Sequence, residues 1–289
     1  MMRLVLLTFG DRLDVHSQAA FCIVSFLKAD RALPVTVVTD RPALYAHLSP
    51  ALRLHLVDAA TLADWQRPHG FFWRVKIRAL QEVAAAHPHD DLLYVDADTI
   101  LVEGLDRLRD ALAAGRPLMH LPEHRLCAAP TKTERTMWRV LRGGHFGGLA
   151  VDAQTTMWNA GVIGVPAAGA AATLAAALAA CDAMCETPAR RRLLEQLAFS
   201  MALGATGALR DARREVLHYW GNKAGWQAAI DAFWIESRLE ARSLAQDIDA
   251  FDAVRHAARP IEQRPRRLAR WLQMLATRQG PGRVRRFGE

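Results

Sequence analysis

Away from its C-terminal end this chain has no excess of charge. Nine arginines against two glutamates lie between Arg259 and Glu289, so the whole net charge of +7 belongs to that stretch and the preceding residues balance. A body without a basic field is not built to track nucleic acid, which requires phosphate-neutralising cations along the binding surface. Lysine is scarce too: four of the 37 basic residues are lysines, Lys28, Lys76, Lys132 and Lys223. The four cysteines, Cys22, Cys127, Cys181 and Cys185, lack paired metal spacing, and reduced thiols in a cytosol are the simplest account. Met1 to Gly10 has no basic head, no apolar stretch of signal length and no small-residue cleavage site, and reads as a first strand. The Ala-rich segment 167–186 is too weakly apolar, and interrupted by Asp182, to be a membrane span. No internal repeat is visible.

What is present fits a soluble α/β protein. With 289 residues, 51% hydrophobic content and a mean hydropathy near zero, the chain can bury one large core or two small ones. Apolar runs at Leu4–Phe9, Val35–Val38, Leu52–Val57 and Leu92–Val95 read as strands. Helical spacing at Ser17–Leu27 and Trp73–Ala86 places helices between them. Strand and helix alternate, which implies a mainly parallel sheet covered by helices, with ligands bound beyond the carboxyl ends of the strands. Met157–Pro166 reads as a further buried strand with small residues for close approach. Ala167–Glu186 and Arg190–Leu203 read as helices.

The most telling run is Leu92–Val102, an apolar strand that ends on Asp96-Ala97-Asp98. Alternation along a strand would point both carboxylates the same way, and two carboxylates at a strand tip make a site for a hard cation such as Mg²⁺ or Mn²⁺. Such a cation completes its shell with phosphate oxygens, so the pair predicts a diphosphate-bearing ligand. A second pattern, His120-Leu-Pro-Glu123-His124, matches the inverted zinc-hydrolase motif. Pro122 lies within it and disfavours the helix that motif needs, so the segment reads as a loop shaping an acceptor site. The Gly-rich stretch Arg142–Gly148 reads as a loop that closes over a ligand or is simply flexible.

Four elements in order resemble the GT-A fold glycosyltransferases, and most closely glycosyltransferase family 8, over about residues 1 to 225. They are the Lys76 helix, Tyr94-Val-Asp96-Ala-Asp98, Asn159-Ala-Gly161, and His218-x-x-Gly221 with Lys223. The resemblance implies an enzyme transferring a hexose, with retention, from a nucleotide sugar to a glycan or glycolipid acceptor. The nucleotide sugar is a UDP-sugar by resemblance, and Mn²⁺ or Mg²⁺ is the cofactor. It implies Asp96, Asp98 and His218 as metal ligands, and Asn159, Glu195 and Gln196 as the residues facing the reacting sugar. Lys76, Gly161, Gly221 and Lys223 would serve the donor, with Arg74 and Arg78 competing with Lys76. Thr8, Asp11 and Asp40 occupy loops that would line the nucleoside pocket.

Two departures stand out. Glu195 replaces the family's Asp, and Lys223 follows Gly221 after one residue with no Pro-Trp behind it, although Trp226 is close by.

Residues 1–258 then form the catalytic domain and 259–289 a basic tail. In the tail Leu268, Trp271, Leu272 and Leu275 share one helix face, with Arg266, Arg270 and Thr277 opposite. That face suits an anionic inner leaflet, at about 1 kcal/mol per arginine, or packs back on the body. The expected location is cytoplasmic, peripheral on the membrane. Other classes are a sugar-nucleotide nucleotidyltransferase, for which Thr8–Asp11 is poor in glycine, and a non-catalytic membrane-docking protein.

Overall fold

In the computed structural model, residues 1–265 and 282–285 are described. In chain order the strands are β1 (Met2–Thr8), β2 (Val35–Thr39), β3 (Leu52–Leu56), β4 (Asp91–Val95), β5 (Thr99–Leu101), β6 (Leu118–Met119), β7 (Pro122–Arg125), β8 (His145–Phe146), β9 (Leu149–Ala150), β10 (Thr156–Trp158), β11 (Val162–Val165), β12 (Arg210–Asp211), β13 (Val216–His218), β14 (Glu262–Pro265) and β15 (Gly282–Arg285). The helices are α1 (Leu13–Ala29), α2 (Ala59–Trp65), α3 (Arg74–Ala86), α4 (Asp106–Ala113), α5 (Lys132–Leu141), α6 (Ala170–Cys185), α7 (Leu194–Thr206), α8 (Lys223–Leu239), α9 (Leu244–Ala250) and α10 (Ala253–Ala257). They fall into two units, each discontinuous in sequence.

The first unit comprises Met1–Gly10, Leu33–Asp96 and Leu105–Arg213. Its sheet has the order β12-β6-β11-β4-β1-β2-β3. Strands β3, β2, β1 and β4 are parallel, β11 runs antiparallel to both β4 and β6, and β12 is parallel to β6. The sheet is thus mixed and mainly parallel, as the alternating pattern predicts. Val5, Val38, Leu92, Tyr94 and Ile163 form one core with the apolar faces of α3, α6 and α7. The alternate set, including Leu4, Leu6, Val37, Leu93 and Val95, is buried as well, which explains why these strands read as unbroken apolar runs.

The second unit comprises Asp11–Ala32, Ala97–Gly104 and the chain from Arg214 onward. Here β5 pairs antiparallel with β13, and α1 packs against β5, α8 and α9. The core is aromatic: Trp226 lies stacked on Tyr219 with ring centroids 4.2 Å apart, and Phe21 meets Phe233, Phe251 and His256 edge-on.

Three expectations need correction. The strand expected at Leu92–Val95 is β4, but a turn and not the strand itself carries Asp96–Asp98, and β5 begins at Thr99 in the other unit. Strand alternation therefore does not orient the two aspartates. Met157–Pro166 is likewise two strands, β10 and β11, separated at Asn159–Gly161 where the Asn159 carboxamide oxygen accepts from the Gly161 N–H at 2.9 Å. The Gly-rich stretch is a packed hairpin of β8 and β9, in which Gly147 (φ +56°) lies so close to α6 that a Cβ would stand 2.5 Å from the Ala180 nitrogen. Alanines 179 and 180 of α6 are what permit that approach.

The amphipathic tail pattern at residues 266–277 lies outside the described residues, and β14 and β15 on either side of it pair antiparallel. Among the described residues no helix is long and apolar enough to cross a membrane.

Candidate functional site

In the first unit the side chains that the sequence singles out gather where β4 ends. Because β11 runs antiparallel to β4 in the register Val162 to Val95, the turn that precedes β11 lies beside the residue that follows β4. The Asp96 N–H donates to the Gly161 carbonyl at 2.9 Å, and the Tyr94 hydroxyl donates to the Asp96 carboxylate at 2.8 Å.

Lys76, from the first turn of α3, reaches into the same place. Its ammonium lies 3.1 Å from Asp96, 3.0 Å from Glu195 and 3.3 Å from the Ala160 carbonyl. Three acceptors match its three N–H bonds. Burial alone would depress the Lys76 pKa, but Asp96 and Glu195 reverse that, so the ammonium is held charged above its ordinary range. Glu195, in the first turn of α7, is displaced upward chiefly by burial; Lys76 opposes the shift and the Asp96 charge adds to it. One cation shared between two carboxylates leaves the second only partly compensated.

Asn159 and Gln196 meet through a residue that sequence reasoning assigned to no catalytic role. The Asn159 amide donates to one oxygen of Glu123 at 3.1 Å, and the Gln196 amide donates to the other at 3.0 Å. The structure thus brings Lys76, Asp96, Asn159, Gly161, Glu195 and Gln196 together, with Glu123 among them. The available signal was Pro122. It rules out the zinc-hydrolase helix, and prolines within sheets sit at edges and bulges, where a side chain can be re-aimed. The segment is strand β7, not a loop. His124 Nε2 lies 3.0 Å from Glu134, and with Glu123 these two form a second group of side chains that could hold a metal ion, without the helix of the zinc-hydrolase pattern.

The nucleoside-loop residues have structural partners. The Thr8 hydroxyl is buried against the Tyr45 hydroxyl at 2.6 Å, and both Asp40 oxygens accept from the Gly10 N–H at 3.1 Å. Gly10 adopts φ +80°, which its lack of a Cβ permits. Arg74 is committed to Asp182 at 2.7 Å, which removes it as a competitor to Lys76. Asp11 is exposed and belongs to the second unit.

In the second unit Asp98 is the centre. One carboxylate oxygen faces His218 Nε2 at 3.4 Å and the other lies 2.8 Å from the Lys223 ammonium. Its own carbonyl accepts from the Tyr219 N–H at 3.1 Å, so β13 and the turn after it are tied to the aspartate. Burial pushes Asp98 up, yet His218 and Lys223 together more than reverse this and hold the carboxyl well below the usual carboxylate range. Both Asp98 and His218 are buried, while the Lys223 side chain is 55% exposed at the first residue of α8.

The Asp98 carboxylate thus has the His218 imidazole beside one oxygen and the Lys223 ammonium beside the other. Asp96, Asp98 and His218 together offer carboxylate oxygens and an imidazole nitrogen, a donor set that could hold a divalent cation. Gly221 has a different reason to be glycine: it bridges to Glu262, whose side chain would lie 2.7 Å from an added Cβ. Trp226 packs on Tyr219 and donates its indole N–H to the Pro260 carbonyl at 3.0 Å.

No protein-family model matches the chain, and no curated protein matches it. Among solved structures, mouse xyloside xylosyltransferase 1 in its apo form is similar at 13% identity and TM-score 0.47, over 73% of this chain and 84% of that one. The galactosyltransferase LgtC in complex with donor and acceptor sugar analogs is similar at 14% identity and TM-score 0.48, over 73% and 74% of the two chains. The bifunctional glycosyltransferase WbbM in its apo form is similar at 12% identity and TM-score 0.43, over 69% of this chain and 37% of that one.

Proposed function

We propose that this chain is a metal-dependent glycosyltransferase that moves a hexose from a nucleoside diphosphate sugar, a UDP-sugar, to a glycan or lipid-linked saccharide with retention of configuration. The observation that carries the reading is a pair of charge clusters, each built on one aspartate of the Asp96-Ala97-Asp98 turn. Asp98 sits with His218 and Lys223, and Asp96 with Lys76 and Glu195. Folding has gathered costly buried charge at one turn, which is characteristic of functional sites.

Asp98 and His218, with Asp96, would hold Mn²⁺ or Mg²⁺. When bound, the cation neutralises charge developing on the departing diphosphate. Lys223, exposed and at the start of α8, would follow the same phosphates. Asn159 and Gln196 would orient the sugar. Lys76 in this arrangement serves the carboxylates of Asp96 and Glu195. Thr8, Asp11 and Asp40 would shape the loops around the nucleoside. In the transfer, the acceptor hydroxyl oxygen bonds to the anomeric carbon as the bond from that carbon to the diphosphate oxygen breaks. The bonding electron pair leaves with the diphosphate, and the hydroxyl proton passes to that departing oxygen on the same face. No separate base on the opposite face is required.

The arginine-rich stretch 259–289 would hold the enzyme at an anionic membrane surface on the cytoplasmic side, near a lipid-linked acceptor.

The test is calorimetric binding of UDP with Mn²⁺, with Mg²⁺ and with chelator, for the native protein and for Asp98→Asn. Metal-dependent binding that disappears in the variant supports the donor site and is followed by a screen of UDP-sugars for hydrolysis and transfer. Absence of binding to UDP and then to GDP overturns the reading.

A further inference from the structure

Strands β7 and β10 pair antiparallel, but their register slips: Met157 pairs with His124, whereas the next residue, Trp158, pairs with Pro122. Glu123 is therefore an extra residue, the unpaired member of a bulge. In a regular strand Glu123 and His124 would face opposite sides of the ribbon, and the bulge releases Glu123 from that alternation. Pro122 supplies no N–H, so the ladder loses nothing at that point.

The freed side chain spans two elements. One oxygen takes the Asn159 amide and the other takes the Gln196 amide. The orientation of Asn159 is not arbitrary: its oxygen accepts from the Gly161 N–H, so its NH₂ must face Glu123. Gly161 in turn accepts from the Asp96 N–H, which carries the connection to the metal-site turn. A parallel tie runs through Ser200, which accepts from the Trp158 N–H and donates to the Gln196 carbonyl.

We infer that Glu123 is a positioning residue, a carboxylate bridge that locks the Asn159 and Gln196 carboxamides into one rigid pair. Its role in catalysis rests on the reading of Asn159 and Gln196 as the residues that face the donor sugar. The bridge itself does not depend on that reading. An acceptor-only carboxylate is the group that can satisfy two amide donors at once, because a carboxamide in its place offers one acceptor oxygen and one competing NH₂.

The chain contains only two asparagines, Asn159 and Asn222, so selective ¹⁵N-asparagine labelling yields two side-chain NH₂ pairs. Asn222 donates to the Pro260 carbonyl at 2.7 Å and serves as the internal reference. In the native protein both NH₂ groups are expected to be rigid by ¹⁵N relaxation. In Glu123→Ala the Asn159 group is expected to gain nanosecond motion while Asn222 stays unchanged, with Glu123→Gln intermediate. Retained rigidity of Asn159 in Glu123→Ala overturns the bridge.

The catalytic consequence is read on the same variants. For donor turnover, kcat of Glu123→Ala is expected to fall roughly ten- to a hundredfold, as for a misplaced reacting group, with Glu123→Gln again between. Metal-dependent UDP affinity is expected to stay within about twofold, since Glu123 belongs with His124 and Glu134 to a different group of potential cation ligands from Asp98 and His218. A native kcat in Glu123→Ala overturns the positioning role even where the bridge is seen. Absence of UDP binding in the native protein would instead overturn the glycosyltransferase reading, and the relaxation result would still decide the bridge.

Discussion

Lys76 and Glu195 meet at 3.0 Å with both side chains 6% exposed, and the same ammonium lies 3.1 Å from Asp96. Two carboxylates thus depend on one cation, Glu195 buried with it and Asp96 partly open to solvent. Replacing Lys76 by Met leaves Asp96 and Glu195 facing each other without compensation. The expected cost is about 3–5 kcal/mol of stability, typical of a broken buried pair. Urea denaturation measures it, and Glu195→Gln added to Lys76→Met is expected to recover part of the loss. A loss below about 1 kcal/mol would show that the pair is solvated and cheap.

Cation binding at Asp98 and His218 should be visible without any substrate. Mn²⁺ at about a hundred times its dissociation constant is expected to stabilise the protein by about 2.7 kcal/mol, reversed by chelator. Asp98→Asn and His218→Ala should each abolish the response in a thermal melt. A response that survives in both variants would place the cation elsewhere.

His256 adds a pH dependence of its own. Burial, followed by the charges of Arg259 and Arg255, pushes it down to about 4, and its Nδ1 lies 2.8 Å from an Arg259 nitrogen, so it folds neutral. The unfolded chain binds the proton first, at about 6.5. This contribution is therefore complete above that pH and is lost as pH falls toward about 4. Between pH 7 and pH 4.5, Tm of the native protein should fall about 3 °C further than that of His256→Phe. Equal falls would mean that His256 charges as readily in the fold as outside it.

Gly147 and Gly148 form a controlled comparison. Both have positive φ, +56° and +84°, but an added Cβ at Gly147 meets the α6 backbone while one at Gly148 meets open space. Gly148→Ala should cost about 1–2 kcal/mol from backbone strain alone, and Gly147→Ala about 2 kcal/mol more from the clash. Equal urea midpoints for the two variants would contradict the close approach of the hairpin to α6.

Much of the fold is legible in residue order, because fully buried parallel strands such as β1 and β2 are written as unbroken apolar runs. Alternation cannot reveal where such a run is cut. Leu92–Val102 and Met157–Pro166 look continuous, yet each is divided by a turn whose geometry depends on partners far away in sequence. Asp96 and Asp98 could be picked out because two carboxylates at the end of an apolar run are unusual, whereas Asn159 and Gln196 were marked only by the family resemblance. Glu123 carried only the sign of the preceding Pro122, since its orientation comes from a one-residue slip between β7 and β10. Helix α8 was readable and missed: Trp226, Ile230, Phe233 and Ser237 are its buried stripe at helical spacing. The pairing of His218 with Asp98 came from the family resemblance, since a lone histidine in sequence carries no sign of the carboxylate it will face.

The insertion of β11 between β4 and β6 sets a schedule for the nascent chain. Everything needed for the parallel strands β3, β2, β1 and β4 has been synthesised by Val95, but the strand that covers the free edge of β4 is complete only at Val165. At about 5–20 residues per second that edge stands open for several seconds on the ribosome, with its backbone donors and acceptors unpaired. A message cut short before Val165 would therefore release a sheet with an adhesive border, whereas one cut after it would release a sheet closed at that edge.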